Sequence, residues 1–146
     1  MCAPLLLQKD VVQLTHHISL GEGHGMQESA ENYLEAILIL GQSGPVRSVD
    51  VAGELNFTKP SVSVAMKNLR AGGHISIDAE GLITLTDSGL RIAKTIYERH
   101  TIISDWLISL GVDSKTAVND ACRMEHAMSP ESFAAIKQHL QKNAAL

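Results

Sequence analysis

From Ser29 the chain settles into a helical rhythm. Tyr33/Leu34, Ile37/Leu38 and Gly41 recur at steps of three and four, the spacing of one helix face. Ser29 stands where an N-cap is expected, and Gly44-Pro45 marks a break. A shorter stripe, Val49, Ala52 and Leu55, predicts a helix capped by Ser48, with Asn56-Phe57 as the turn after it. Thr58 then caps a second helix that tolerates Pro60 in its first turn and turns Val62, Ala65/Met66 and Leu69 inward. Gly72-Gly73 ends it. Two short helices joined by a tight turn read as a helix-turn-helix.

The period then switches to two. Ile75 and Ile77 alternate with Ser76 and Asp78, Asp78-Ala79-Glu80-Gly81 is turn chemistry, and Ile83 and Leu85 alternate with Thr84 and Thr86. The pattern predicts a hairpin, so the unit reads as a winged helix. Helical spacing returns at Thr86 or Asp87 and runs to Leu110, where Gly111 stops it. Asp113 or Ser114 caps the next helix, to about Met128, and Ser129-Pro130 starts a last one with Ser at N-cap and Pro at N1. The expected fold is mainly α: an arm over 1–27, a winged helix-turn-helix domain over 28–87, and a helical domain over 88–146 that carries the dimer surface. In the arm, Val11 to Leu20 can form a short helix and Gly21 to Gly25 a flexible link. His16 and His17 are assigned no function.

Composition narrows the function. In 146 residues, 45% are hydrophobic and 19% charged, which excludes a disordered or collagen-like chain. Aromatics are 3%, so the core is aliphatic. Twelve basic against sixteen acidic residues give a net charge of −4, so a nucleic-acid surface has to be local. One such patch exists. Between Leu55 and Ile77 there is no acidic residue, while Lys59, Lys67 and Arg70 give a local charge of +3. Thr58, Lys59 and Ser61 sit at the N-terminus of the second short helix, where backbone amides and the helix dipole suit a phosphate. Ser61, Val64, Lys67 and Asn68 share its outward face and can reach base edges or phosphates of duplex DNA. A single module of this size binds weakly, so a homodimer on a two-fold operator is expected. The two cysteines, Cys2 and Cys122, make no disulfide framework, and no apolar run is long enough for a membrane span. A cytoplasmic location is expected.

Metal chemistry enters at Cys122-Arg123-Met124-Glu125-His126. On a helix Cys122, Glu125 and His126 lie at i, i+3 and i+4 and face one way, presenting thiol, carboxylate and imidazole. Glu125 falls within an apolar stripe, where a carboxylate needs a cation or a strong hydrogen-bond partner; Arg99 and Arg123 are candidates for that partner. The long helix has the same anomaly: His100 occupies a stripe of Leu90, Ala93, Ile96/Tyr97, Ile103, Leu107 and Leu110. Each residue alone fits an ordinary core role. Together they point to a metal joined from two helices, with Glu35 and Asn32 as further oxygen donors from the first.

Ala121-Cys122-Arg123-Met124-Glu125-His126-Ala127-Met128-Ser129 resembles the signature of the diphtheria-toxin-repressor family of iron- and manganese-dependent transcriptional repressors. Glu31-Asn32-Tyr33-Leu34-Glu35-Ala36-Ile37 is similar to that family's first-helix motif. Thr58-Lys59-Pro60-Ser61-Val62-Ser63 resembles its recognition helix, and Ile83-Thr84-Leu85-Thr86 with Gly89 its wing-to-helix junction. The resemblance covers about residues 28–140 and implies a metal-activated repressor binding a palindromic operator as a homodimer, with Fe²⁺ or Mn²⁺ as cofactor. It carries metal ligation onto Glu125 and His126, shared across the family. Cys122 matches the iron-type branch, and Glu35 and His100 match the manganese-type branch. Asn32 departs from the Asp or Met usual there; its amide oxygen coordinates neutrally and more weakly than a carboxylate. Ser104 and Val118 stand where the iron-type branch has ancillary-site ligands, so that second site is expected to be missing or altered. DNA contact is carried onto Thr58, Lys59, Pro60, Ser61, Ser63, Lys67, Asn68 and Arg70. The chain ends near residue 146, which implies the form without the SH3-like third domain.

Two other readings use the same scaffold: a regulator responding to redox or another ligand through Cys122, and a winged-helix protein-interaction adaptor. An enzyme is not expected, because no oxyanion site or Gly-rich phosphate loop is present.

Overall fold

A computed structural model describes the backbone of residues 25–144 and the side chains of residues 28–144. The readings made for Cys2, Val11 to Leu20, His16 and His17 lie outside the described residues. Helix α1 (Gly25–Gly41) is followed by α2 (Ser48–Leu55), α3 (Lys59–Ala71), strands β1 (Ile75–Ile77) and β2 (Ile83–Leu85), then α4 (Asp87–Ser109), α5 (Ser114–Ala127) and α6 (Pro130–Ala144).

The helix caps explain most of these boundaries. Thr58 Oγ1 accepts from the Ser61 amide at the start of α3, and Thr86 does the same for Gly89 at the start of α4. Asp113 accepts from the Thr116 amide and Ser129 from the Ser132 amide. Two expected caps move. Ser29 lies inside α1, which already begins at Gly25, so Gly25 belongs to the helix and not to a link. Ser48 is the first helical residue of α2; Arg47 is the N-cap, and its amide donates to the Asp50 carboxylate at 2.8 Å.

Asn56 adopts the left-handed conformation, φ 52°, and closes α2 so that α3 can turn back across it. The wing is a two-stranded antiparallel hairpin with Ile75 opposite Leu85 and Ile77 opposite Ile83. A bridge from Val46 to Ile83 ties the wing to the segment after α1.

Among the described residues two apolar clusters form the interior. The larger joins Leu34, Ile37, Val51, Leu55, Val62, Met66, Leu69, Ile75 and Ile83, binding α1, α2, α3 and the wing. The smaller gathers Ile103, Ala121 and Phe133 from α4, α5 and α6. Helix α4 connects the two, packing on α5 and on α1. At its start Gly89 approaches the loop after α3 so closely that a Cβ there would sit 2.0 Å from the His74 carbonyl oxygen. Further along, α4 buries His100 as expected, but Leu110 caps its C-terminus and is 64% exposed, so the inward stripe stops before it.

Candidate metal centre

Helices α4 and α5 bring His100, Cys122 and Glu125 together. One ligand-type atom from each lies within 4.8 Å of the other two, and all three residues are buried. Their i and i+3 positions on α5 place Cys122 and Glu125 on the face that α4 covers. His100 Nδ1 is 2.8 Å from Glu125 Oε2 and 3.7 Å from Cys122 Sγ. Glu125 is wholly buried. A buried carboxylate is stable only where charges or donors compensate it.

His126, one residue further along α5, approaches from the side of α1. Its Nε2 lies 3.1 Å from Glu125 Oε1, without the alignment of a hydrogen bond, and its Nδ1 lies 2.7 Å from Glu31 Oε2. Burial opposes a charged imidazole here, but the carboxylates of Glu125 and Glu31 outweigh it and push His126 up to about 10. Glu35, on the same helix as Glu31, is buried, and its carboxyl is pushed up to about 8 by burial and by the negative charge of Glu125, partly offset by His126. Burial, with Glu125 and Glu35 nearby, raises the Cys122 thiol far above its ordinary range.

The polar atoms left over mark the interior of this cluster. Asn32 Oδ1, Glu35 Oε1, Glu125 Oε1, His100 Nε2 and His126 Nε2 are all buried without a hydrogen-bond partner among the described residues. Buried polar atoms without partners are rare in a folded protein, and Glu125 Oε1 and His126 Nε2, 3.1 Å apart, imply something that satisfies them. Three oxygen acceptors from α1 and α5, with imidazole nitrogens and a thiol beside them, form a donor set suited to a divalent transition metal. His126 borders the triplet of His100, Cys122 and Glu125, and Glu35 is close enough to feel the charges of Glu125 and His126, while Asn32 lies three residues before Glu35 on α1.

Sequence reasoning missed one residue and gave another the wrong partner atom. Glu31 reaches His126, and the signal was its place four residues before Glu35, on one face of α1. Arg99 was a candidate partner for the Glu125 carboxylate; instead Nη1 donates to the backbone carbonyls of Glu125 and Met128. Ser104 donates its hydroxyl to the carbonyl of His100 at 2.7 Å.

The candidate DNA-contacting residues are all on the surface. Thr58, Lys59, Pro60, Ser61, Ser63, Lys67, Asn68 and Arg70 are exposed on α3 or at its cap. Thr58 and Ser61 share a hydroxyl–hydroxyl contact of 2.8 Å at its N-terminus. Val64, 60% exposed, is an apolar side chain on this otherwise polar face. Among the described residues no helix is long and apolar enough to cross a membrane.

Known proteins resemble this chain in sequence and fold. Residues 86–144 match the family described as iron dependent repressor, metal binding and dimerisation domain. An HTH-type transcriptional regulator of Methanocaldococcus jannaschii is 35% identical over 120 residues, covering 80% of this chain and 96% of that protein. The transcriptional regulator MntR of Escherichia coli is 33% identical over 120 residues, covering 82% of this chain and 77% of that protein. Among solved structures, a manganese-dependent transcriptional repressor in complex with manganese superposes with a TM-score of 0.69 at 28% identity over 77% of this chain. The metal-dependent transcriptional regulator MtsR superposes with a TM-score of 0.72 at 26% identity, also over 77% of this chain. The chain spans about half the length of these two solved proteins, 52% and 53%.

Proposed function

The chain belongs to the iron-dependent repressor family of metal-dependent transcriptional repressors, and on that premise we propose that Fe²⁺ or Mn²⁺, held between α1, α4 and α5, switches it on as an operator-binding homodimer. The proposed ligands are Glu35, His100, Cys122, Glu125 and His126, with Asn32 as a neutral oxygen donor. One observation carries the reading: buried carboxylate, imidazole and thiol atoms converge within 4.8 Å, beside a set of polar atoms without partners. When bound, the cation supplies the positive charge that lets Glu35 and Glu125 stay ionised side by side.

The residues explain how binding would reach DNA. Glu35 and Asn32 sit on α1, whose apolar face is part of the winged unit's interior, while His100, Cys122, Glu125 and His126 sit on α4 and α5. Ligation from both sides favours one placement of α1 over others. That preference is the differential affinity through which metal binding and operator binding are coupled. The winged unit is proposed to span 28–87 and the dimerising unit 88–146. Thr58, Lys59, Pro60, Ser61, Ser63, Lys67, Asn68 and Arg70 would meet a palindromic DNA operator in the cytoplasm. A mixed oxygen, nitrogen and sulfur set suits Fe²⁺ or Mn²⁺, and availability in the cell decides between them.

The test is a titration of purified protein with Mn²⁺ and with Fe²⁺, read by binding to a fluorescent duplex selected from a random pool. Metal is expected to tighten binding by at least tenfold. Glu125→Ala with His126→Ala is expected to abolish that response while the variant still folds. Equal operator affinity with and without metal in the unaltered chain would overturn the reading.

A further inference from the structure

We propose that Glu31 is a positioning residue of this metal site: its carboxylate holds the proton on Nδ1 of His126 and leaves Nε2 as the coordinating atom. The proposal rests on the metal-site reading above. Its own ground is geometric. Glu31 Oε2 and His126 Nδ1 are 2.7 Å apart across 95 residues of sequence, with side chains only 19% and 5% exposed. An ionised carboxylate only accepts hydrogen bonds, so Nδ1 is the donor. A neutral imidazole protonated on Nδ1 carries its lone pair on Nε2.

Nε2 is the atom the rest of the cluster leaves unsatisfied. It is buried, has no hydrogen-bond partner among the described residues, and lies 3.1 Å from Glu125 Oε1, itself without one there. The opposite tautomer would set the Nδ1 lone pair against the Glu31 carboxylate at 2.7 Å. Metal-ligating histidines generally donate their other ring N–H to a carboxylate or carbonyl, which fixes ring orientation and raises basicity. Glu31 fills that role from a different helix. The two histidines then address Glu125 differently: His100 faces Oε2 through Nδ1, and His126 faces Oε1 through Nε2. Because Glu31 lies on α1, the orientation of His126 depends on α1 being docked against α5. A metal would therefore sense α1 through an aligned ligand as well as through Glu35.

The test compares the unaltered chain with Glu31→Ala, Glu31→Gln and His126→Ala. Mn²⁺ affinity is measured by calorimetry, and the histidine ring nitrogens by long-range ¹H–¹⁵N spectra of the Zn²⁺-loaded protein. Glu31→Ala is expected to weaken Mn²⁺ binding about 10- to 100-fold. Glu31→Gln keeps an acceptor oxygen and is expected to recover most of the loss. In the unaltered chain the spectra should show His126 with a protonated Nδ1 and a metal-bound Nε2. Metal on Nδ1 would overturn the proposal, whether or not any variant folds. Unchanged affinity in Glu31→Ala, with affinity lost in His126→Ala, would overturn the role of Glu31 and leave the site standing. Unchanged affinity in both would overturn the site and the proposal together.

Discussion

Arg99 donates to the backbone carbonyl of Glu125, at 3.0 Å, and leaves that residue's carboxylate to the histidines. The same nitrogen reaches the Met128 carbonyl at 2.8 Å, and the guanidinium lies 5.4 Å from the centre of the Phe133 ring. Helix carbonyls near a C-terminus lack partners within the helix, and a cation there also opposes the helix dipole. Arg99 thus fastens the end of α5 that carries Glu125 and His126 to α4 and α6.

Replacing Arg99 by Met keeps much of the apolar stem and removes those bonds. Hydrogen bonds to a charged group contribute roughly 1.5–3 kcal/mol each, so a loss of about 3 kcal/mol is expected. Urea unfolding of the metal-free protein measures it. A loss below about 0.5 kcal/mol would show that Arg99 does not fasten α5.

Glu125→Gln separates metal binding from folding. The amide oxygen can still accept from His100 Nδ1, so the metal-free variant should still fold, with some stability lost because the carboxylate that faces His126 is gone. Metal at a hundred times its dissociation constant stabilises a native state by about 2.7 kcal/mol, and that gain is expected in the parent. In Glu125→Gln at the same Mn²⁺ concentration most of it should vanish. Thermal melts with and without metal read both effects.

The pH dependence of the metal-free protein follows from two raised groups. Folding lifts Glu35 from 4.5 to about 8 and His126 from 6.5 to about 10. In both, the folded state holds its proton more tightly than the unfolded chain. Their contributions are therefore full below the unfolded values and are lost as pH rises towards the folded ones. Stability should fall from about pH 5 to pH 8 through Glu35, and from about pH 7 to pH 10 through His126. Glu35→Gln should flatten the first part. Metal competes with these protons, so the stabilisation by saturating Mn²⁺ should grow over the same range. Melting temperatures from pH 5 to pH 9, with and without metal, give the signs directly.

Much of this site was legible because its chemistry interrupts an otherwise regular pattern. Glu125 and His100 stand in apolar stripes, and Cys122, Glu125 and His126 share a helix face by spacing alone. The winged unit was equally readable from Thr58, Gly72-Gly73 and the alternating isoleucines. Glu31 was not, because an acidic residue near a helix start reads as ordinary surface charge, and its partner is 95 positions away. Arg99 was named as a partner for the Glu125 carboxylate, but its actual partners are backbone carbonyls, which leave no mark in a sequence. Ser48 misled because a good capping residue does not cap when Asp50 can reach back to the Arg47 amide.

Gly89 tests the joint between wing and α4. A Cβ there would meet the His74 carbonyl oxygen at 2.0 Å, and that oxygen already accepts from the Thr86 amide. Backbone cannot rotate away as a side chain can. Gly89→Ala is expected to cost about 3 kcal/mol, the upper end for forced overpacking. Gly53, with open space around its Cβ position, is the control: Gly53→Ala should be neutral or stabilising within α2. Chemical unfolding of the two variants gives the contrast.

Val64 offers the sharpest test of how α3 meets DNA. It is 60% exposed on a face shared with Ser61, Lys67 and Asn68, where an apolar side chain gains nothing from water. In a major groove the apolar feature is the thymine 5-methyl group. Burying a group of that size contributes about 0.8 kcal/mol, close to fourfold in affinity. In a duplex selected with metal-loaded protein, thymines are replaced one at a time by deoxyuridine, which removes only that methyl. One replacement should weaken binding of the parent about fourfold and leave Val64→Ala unchanged. Lys67→Ala, by contrast, should weaken all these duplexes alike and reduce the salt dependence of binding by about one unit of slope. Uniform tolerance of deoxyuridine at all positions, with the salt dependence intact, would show that α3 is anchored by phosphates alone.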